Sequence, residues 1–455
     1  MPTAYTILFL LLILVAAATW IIPAGSYDYV DGVPVAGTYH AVEQNPQGVG
    51  DVLKAAFSGF YDAVDVCIFI LMVGGFLGVV MKTGAVDAGV ANVIRLLGGR
   101  EKWLIPILML LFGLGGTTYG MWEETMAFYP LLIPVFLAAG YDAVVGISVI
   151  LLGAGAGVIA STVNPFATGI AAGFAGVSLG EGILLRLLEW VAFEAAAIWF
   201  VMAYAARVKR NPSKSVVGVG AGRIQVTMDQ QVPFTPKRKV IMAIFTLTFL
   251  IMVYAVVPFD EMGLSLPTLG WWFPELSALF LVGGVVIGLI DRMSEEELTE
   301  TYVAGCADLL GVAFIIGISR GITVLMRDGA ITDTILHWGE AALSGAGAVS
   351  FTLLVFVLYL PLTILIPSSS GLATLSIPIV APLGKFAGVG GDLVVTAFQS
   401  ASGLVNILTP TAAVVMGALA LGHVPYDRWV KYVWKLMLWF LLLALVFLVA
   451  GVLLG

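Results

Sequence analysis

Two adjacent carboxylates, Glu123 and Glu124, lie inside a long apolar run, in the stretch Gly113-Leu-Gly-Gly-Thr-Thr-Tyr-Gly-Met-Trp-Glu-Glu-Thr-Met-Ala-Phe-Tyr-Pro130. Charge at bilayer depth is costly, so such residues by default face protein or water and mark a path for substrate, ion or proton. Three chemistries are open to them. They could bind a cationic amine or guanidinium, take up a proton, or neutralise a buried arginine, for which Arg320 is the obvious mid-span candidate. Successive side chains point apart, so one carboxylate reads as functional and the other as structural. Trp122 and Tyr119 offer either a cation–π face or plain packing. A second polar tip, Pro367-Ser-Ser-Ser-Gly371, also sits between apolar halves. The hydroxyls of Ser368, Ser369 and Ser370 and the flexible backbone at Gly371 suit hydrogen-bonding a carboxylate or coordinating sodium.

Two further spans read as broken. One breaks at Ala160-Ser-Thr-Val-Asn-Pro165 and the other at Thr409-Pro410-Thr411. Unwinding a membrane helix strips N–H and C=O groups of their partners, at several kcal/mol each unless something satisfies them, and proline removes a donor. Ser161, Thr162, Asn164, Pro165 and Thr168 in one half, and Asn406, Thr409, Pro410 and Thr411 in the other, are therefore candidate site residues. Thr117 and Thr118, beside the acidic tip, join them. Half-helix N-termini suit anions, while freed carbonyls suit cations. Ser161, Asn164, Ser369 and Asn406 are the candidate oxygen ligands for sodium.

The elements that must position these residues are membrane helices. The 455-residue chain is 60% apolar and 11% charged, with a mean hydropathy of +1.04. Soluble proteins carry about a quarter charged residues. A span needs about 20 apolar residues, so the chain has room for roughly ten. Cys67 and Cys306 fall in predicted spans and give no disulfide framework. His40, His337 and His423 are scattered, which leaves no zinc-like spacing, and no basic stripe with aromatics suggests nucleic acid. No phosphate-cradling Gly-rich loop ending in Lys-Ser/Thr suggests ATP-driven transport. No nucleophile–base constellation suggests an enzyme, and no resident cofactor is expected. The run Ala4–Ile22 lacks a basic leader region and reads as a first span rather than a signal peptide.

The features recur in order. Met81-Lys-Thr-Gly-Ala-Val86 resembles Met326-Arg-Asp-Gly-Ala-Ile331, and Pro130-Leu-Leu-Ile-Pro134 resembles Pro378-Ile-Val-Ala-Pro382. Each half then reaches its broken span and an acidic interfacial helix. The pattern predicts an all-α polytopic fold of two repeats. The first is 1–207, with a re-entrant hairpin at about 103–139, interrupted at Gly115-Gly-Thr-Thr118, and a broken helix at about 143–175. A basic linker and an extra span occupy 208–274. The second repeat is 275–455, with a hairpin at about 349–387 and a broken helix at about 394–421. Asp87–Leu97 reads as an interfacial piece and Asp260–Glu261 as part of a short loop. Glu189 and Glu194 read as snorkelling or paired, and Asp62 and Asp65 receive no role. With the N-terminus placed inside, sixteen of the 21 Lys and Arg are cytoplasmic. The same count inverts the second repeat relative to the first. Inverted repeats with broken helices meeting near the midplane are a transporter architecture.

Four stretches carry a resemblance over essentially the whole chain. They are Ile21-Ile-Pro-Ala-Gly-Ser-Tyr27, Gly120–Pro130, Ser161-Thr-Val-Asn-Pro-Phe-Ala-Thr-Gly169 and Pro367-Ser-Ser-Ser-Gly-Leu-Ala-Thr374. Together they resemble the YfcC/DcuC group of membrane carriers in the ion transporter superfamily. The resemblance implies an elevator-type homodimer in the plasma membrane, with a scaffold and a sliding transport domain that carries both tips. Dicarboxylate carriers of that superfamily place Ser-Asn-Thr motifs at both tips. Here the first tip is Gly-Met-Trp-Glu-Glu, which argues against a dianion. The YfcC branch is described as basic amino acid antiporters. The leading expectation is a secondary transporter of basic amino acids, of the arginine or ornithine type, by exchange or by sodium or proton coupling. The alternative is a sodium- or proton-coupled carrier of C4-dicarboxylates or other carboxylates.

Overall fold

The computed structural model describes residues 4–454 apart from 32, 87, 90, 91, 93–99, 179, 219–232, 257, 258 and 260–264; of Tyr119, Pro165, Phe166, Val253 and Val256 only the backbone is described. The interfacial piece expected at Asp87–Leu97 lies largely outside the described residues, as do Asp260 and Glu261.

The chain is helical almost throughout. In order it forms α1 (Ala4–Ala18), α2 (Val49–Asp62), α3 (Val64–Lys82), α4 (Leu104–Tyr119), α5 (Tyr129–Ala138), α6 (Ala143–Ile159), α7 (Ile170–Ala175), α8 (Ile183–Arg210) and α9 (Pro236–Val256). There follow α10 (Phe273–Asp291), α11 (Glu295–Asp328), α12 (Thr332–Leu343), α13 (Ala348–Leu365), α14 (Ser369–Phe386), α15 (Gly391–Asn406), α16 (Ala413–Leu421) and α17 (Tyr426–Leu454). Among the described residues, five of these, α3, α10, α11, α13 and α17, are long and apolar enough to cross a membrane, and α1 and α6 are shorter apolar helices. With so much apolar surface the chain is a membrane protein.

Several expected boundaries dissolve. The acidic turn from Ser294 and the span after it are one helix, α11, of 34 residues. At 1.5 Å per residue it is about 50 Å long and outreaches the hydrocarbon core. Its N-cap is Ser294, whose side chain accepts from Glu297 N, and Glu295, Glu296 and Glu297 complement the helix dipole. Likewise Tyr426–Lys435 and Leu436–Leu454 form the single helix α17. The helix α2 stands between the polar loop and α3, where no helix was expected. Its buried residues Val52, Ala55, Ala56 and Gly59 fall at helical spacing, which was the available signal.

Packing does not follow the two halves of the sequence. One group gathers α1, α2, α3, α9, α10 and α11, with α11 packed along both α2 and α3. The other gathers α4–α8 and α13–α17, with α4 against α6, α13 against α15, and α8 beside α17. Small residues allow the closest approaches. A Cβ on Gly116 would run into Ala154 O of α6, and one on Gly157 into Gly113 O of α4. This is the small-residue packing common between membrane helices. It explains why Gly115-Gly-Thr-Thr118 does not interrupt its helix. These residues continue α4 to Tyr119, and the chain turns only at Gly120, in the left-handed region at φ 76°.

The stretch after α1 forms two short antiparallel pairs, Gly25–Ser26 with His40–Ala41 and Tyr29–Val30 with Val33–Pro34. Side chains clasp it onto α12. Asp333 accepts from Tyr27 N at 3.0 Å and from Tyr29 OH at 2.8 Å, and Glu340 accepts from Tyr27 OH at 2.7 Å. The Tyr39 ring stacks on His337, with centroids 4.0 Å apart. Burial, and then the carboxylates of Glu340 and Asp333, push the Tyr27 and Tyr29 phenols above their ordinary value of 10. Phenols raised on folding contribute stability that is complete below pH 10 and lost as pH rises through their folded values. The tyrosinate absorbance lost in a Tyr27→Phe/Tyr29→Phe variant should therefore belong to a wave well above pH 10. A missing wave at pH 10 itself would refute the clasp.

Candidate functional site

Each break is stitched by named donors. After α6 ends at Ile159, Thr117 of α4 reaches across: its Oγ1 donates to Ala160 O at 2.8 Å, and its carbonyl accepts from Thr162 N at 2.8 Å and from Thr162 Oγ1 at 2.9 Å. Arg186 Nη2 donates to Thr162 O at 3.3 Å, and Gln399 Nε2 donates to Val158 O at 2.6 Å. A π-helical turn, Pro165–Gly169, then leads into α7. In the second break, Trp429 Nε1 donates to Ile407 O at 3.1 Å, Tyr426 OH to Leu408 O at 2.8 Å, and Ser319 Oγ to Thr411 O at 2.6 Å. The carbonyls freed by unwinding thus find side-chain donors, as a chain in hydrocarbon requires.

Both breaks and both tips open on one cavity of about 150 Å³. From one packing group come Gly120, Trp122, Glu123 and Glu124, with Asn164 behind them. Pro367, Ser368, Ser369 and Ser370 face in from the second tip, and Asn406 and Thr411–Val414 from the second break. The other packing group closes the cavity with Val66, Trp272, Phe273, Ile316, Ser319 and Arg320. The cavity therefore lies at the seam between the two groups of helices.

The acidic tip is a 3₁₀ turn, Glu123–Phe128. Glu124 is buried, and its Oε2 accepts from Trp122 N at 3.1 Å; Thr125 Oγ1 donates to Trp122 O at 2.5 Å. Glu123 is only partly buried. The turn therefore uses Glu124 to hold its own backbone and leaves Glu123 as the freer carboxylate. Arg320 attracts the Glu123 carboxylate, and Asp65, next to the lining residue Val66, repels it. Arg320 makes no ion pair within 4.0 Å among the described residues, so its guanidinium remains available to a ligand.

The hydroxyl tip is a helix start. Ser368 caps α14, its Oγ accepting from Gly371 N at 3.2 Å. The first-turn N–H groups at Ser369 and Ser370 have no carbonyl within the helix to bond. The start of α16 at Ala413 reaches the same cavity with no side-chain cap. Two helix N-termini, each with a partial positive charge, thus face the carboxylates of the other tip.

Not every sequence candidate lines this cavity. Thr117 and Thr162 belong to the stitching described above, and Thr118 Oγ1 bonds back to Leu114 O at 2.6 Å. Ser161 and Thr168 are buried, with hydroxyls lacking a partner among the described residues. Thr409 bonds Thr411 at 2.8 Å. Thr409, Pro410 and Gly371 shape the backbone beside the cavity, and Pro165 begins the π-helical turn. Arg320 and Ser319, by contrast, line it without having been counted among the site residues. The signal was present, since an arginine in mid-span is rarely idle. Glu189 accepts from Ser400 Oγ at 2.8 Å. Glu194 neither snorkels nor pairs. It is buried against α4, where Gly113 leaves room, and neither oxygen has a partner among the described residues.

The chain is similar to other proteins along nearly its full length. It is 35% identical to a Haemophilus influenzae protein of unassigned function, over 99% of this chain and 97% of that one. It is 30% identical to the Escherichia coli protein named "Putative basic amino acid antiporter YfcC", over 95% of this chain and 92% of the other. Among solved structures, the Alcanivorax borkumensis YdaH transporter aligns with a TM-score of 0.46 at 14% identity, covering 98% of both chains. The Neisseria gonorrhoeae MtrF efflux pump aligns at 0.45 and 17%, covering 98% of this chain and 94% of that one. The profile of a transporter family described as DcuC, C4-dicarboxylate anaerobic carrier, matches residues 1–453, and the chain belongs to that family.

Proposed function

We propose that the protein is a secondary transporter of amino acids with a cationic side chain, of the arginine or ornithine type, working by exchange or ion coupling. The observation that carries this reading is the polarity of the cavity that both tips share. Two carboxylates stand at one tip, and serines, two helix N-termini and Arg320 stand across from them. The acidic tip on one side and the guanidinium with the helix N-termini on the other suit a substrate that carries a cationic end and a carboxylate end, and the acidic side disfavours a dianion. Arg320 and the helix ends would hold the α-carboxylate. Glu123 would hold the cationic end.

The seam location supports an elevator cycle, in which the group carrying both tips slides against the group built on α11. The ordered recurrence of hairpin, broken helix and long helix supports inverted repeats, with 1–207 and 275–455 as the repeats and 208–274 as the linker. The proposal includes a homodimer in the inner membrane with a cytoplasmic N-terminus. Sodium remains a candidate coupling ion. Asn164, Ser369 and Asn406 line the cavity, with Asn164 Oδ1 accepting from Ala167 N at 3.3 Å, and Ser161 has a buried hydroxyl with no partner among the described residues.

A second reading, a C4-dicarboxylate carrier, draws on the family description and on the same Arg320 and helix N-termini. Proteoliposome counterflow separates the two. With and without a sodium gradient, labelled arginine should exchange and labelled succinate should not. Succinate uptake that arginine fails to inhibit would overturn the leading reading.

A further inference from the structure

Away from the substrate cavity, the end of α8 and the start of α17 enclose a second cavity of about 570 Å³. Among the described residues its wall carries Arg207, Lys214, Lys431 and Lys435 and no carboxylate. An adjoining hollow shares Arg207 and Lys214 and adds Arg210. Among the described residues the nearest acids leave most of this charge uncompensated. Asp142 is committed, accepting from Tyr204 OH at 2.6 Å, Ser215 Oγ at 2.7 Å and Val145 N at 3.0 Å. Asp427 lies 3.5 Å from Lys431 alone of the four. Arg207 and Lys214 have no ion pair within 4.0 Å among the described residues.

The floor is aromatic and fixed. Tyr204 and Tyr432 pack with ring centroids 4.6 Å apart, and Tyr432 OH accepts from Ser148 Oγ at 3.2 Å. Both hydroxyls are thus turned toward the protein, which leaves the rings as wall. Next along the helices, on the apolar side, stand Trp199 and Trp439, 70% and 59% exposed. Trp199 precedes Arg207 on α8 by about 12 Å of helix rise, and Trp439 follows Lys435 on α17 by about 6 Å. Both helices thus run from cations through tryptophan into exposed aliphatic surface, with Val191 beyond Trp199 on α8 and Leu442 and Val446 beyond Trp439 on α17. A phospholipid has that order of groups, from phosphate through glycerol to acyl chain. A free phosphate would use only the cations.

We propose that this cleft binds an anionic phospholipid of the cytoplasmic leaflet. Arg207, Lys214, Lys431 and Lys435 hold its phosphate, and its chains lie along Trp199 and Trp439. Basic pockets between helix ends are the usual form of such sites. The lipid would bridge α8 and α17, which both pack on the helices of the substrate tips.

Native mass spectrometry of the detergent-purified full chain tests this with phosphatidylglycerol, phosphatidylcholine and glycerol phosphate as probes. The expected result is retention of phosphatidylglycerol over phosphatidylcholine. Each charge removed should weaken retention about fivefold, so Arg207→Gln/Lys431→Gln/Lys435→Gln should weaken it on the order of a hundredfold. Thermal unfolding without lipid checks that the variant folds. If it does not, Lys431→Gln and Lys435→Gln are read singly, since both side chains are solvent-facing. Equal retention of the two lipids, or a variant that keeps the preference, overturns the proposal. Glycerol phosphate competing as well as the whole lipid would reassign the cleft to a free anion and also overturn it.

Discussion

Arg320→Gln should lower amino acid counterflow at least about thirtyfold, the consequence of losing about 2 kcal/mol or more from a desolvated charge contact. The residue is held on α11, the longest helix, and opens on the cavity beside Ser319, whose Oγ is already given to Thr411 O. No carboxylate lies within 4.0 Å of Arg320 among the described residues, so the substitution strands no directly paired partner. The fold should therefore survive, and a thermal unfolding midpoint close to wild type is part of the expectation. Arg320→Lys keeps the charge and loses the planar fork, so it should fall between the two. Counterflow within a few-fold of wild type for Arg320→Gln, at equal reconstitution, would show that the guanidinium does not meet the substrate.

The second large effect distinguishes the two glutamates. Glu123→Gln should cut arginine counterflow about a hundredfold and shift preference toward neutral amino acids, because a charge-assisted contact becomes a neutral one. Glu124→Gln should cost only a few-fold. Glutamine can still accept from Trp122 N, the bond that Glu124 makes in the 3₁₀ turn. Glu123→Asp, which keeps the charge on a shorter arm, should recover part of the loss as a raised KM. Equal losses for the two amides would mean that the turn's geometry, not the Glu123 charge, sets the rate. Arginine counterflow untouched by either amide would remove the acidic tip from substrate binding.

Much of this arrangement is legible in the residues. Glu123 and Glu124 in an apolar run, the Ser368–Ser370 tip and the two Pro-containing breaks mark the candidate site because hydrocarbon makes each of them costly unless used. Local signals placed the tip less well. Gly115 and Gly116 read as breakers when taken alone, yet α4 runs through them to Tyr119, and Gly116 packs against Ala154 of the neighbouring helix α6. A glycine breaks a helix or packs one depending on what stands opposite, and that is not written nearby in the chain. The same limit misplaced Thr117, whose type suggests a ligand but whose partners are Ala160 and Thr162, 43 and 45 residues further along the chain. Arg320 was visible as a costly charge in mid-span, but its destination was not.

The sequence by itself determined the solvent and the parts. An apolar chain with few charges must span membranes, and its few interior polar stretches must be satisfied or functional. It also determined the opposed chemistry of the two tips, acidic at Glu123–Glu124 and hydroxyl-rich at Ser368–Ser370. Only the tertiary structure decided that these tips share one cavity and that Arg320 closes it from the opposite group of helices. It also decided that Glu124 braces the turn and leaves Glu123 freer. The physical reason is that membrane helices carry apolar residues on nearly every face, so periodicity sets no partner. Which helices meet, and what their polar residues then face, follows from close packing of small residues far apart in the chain.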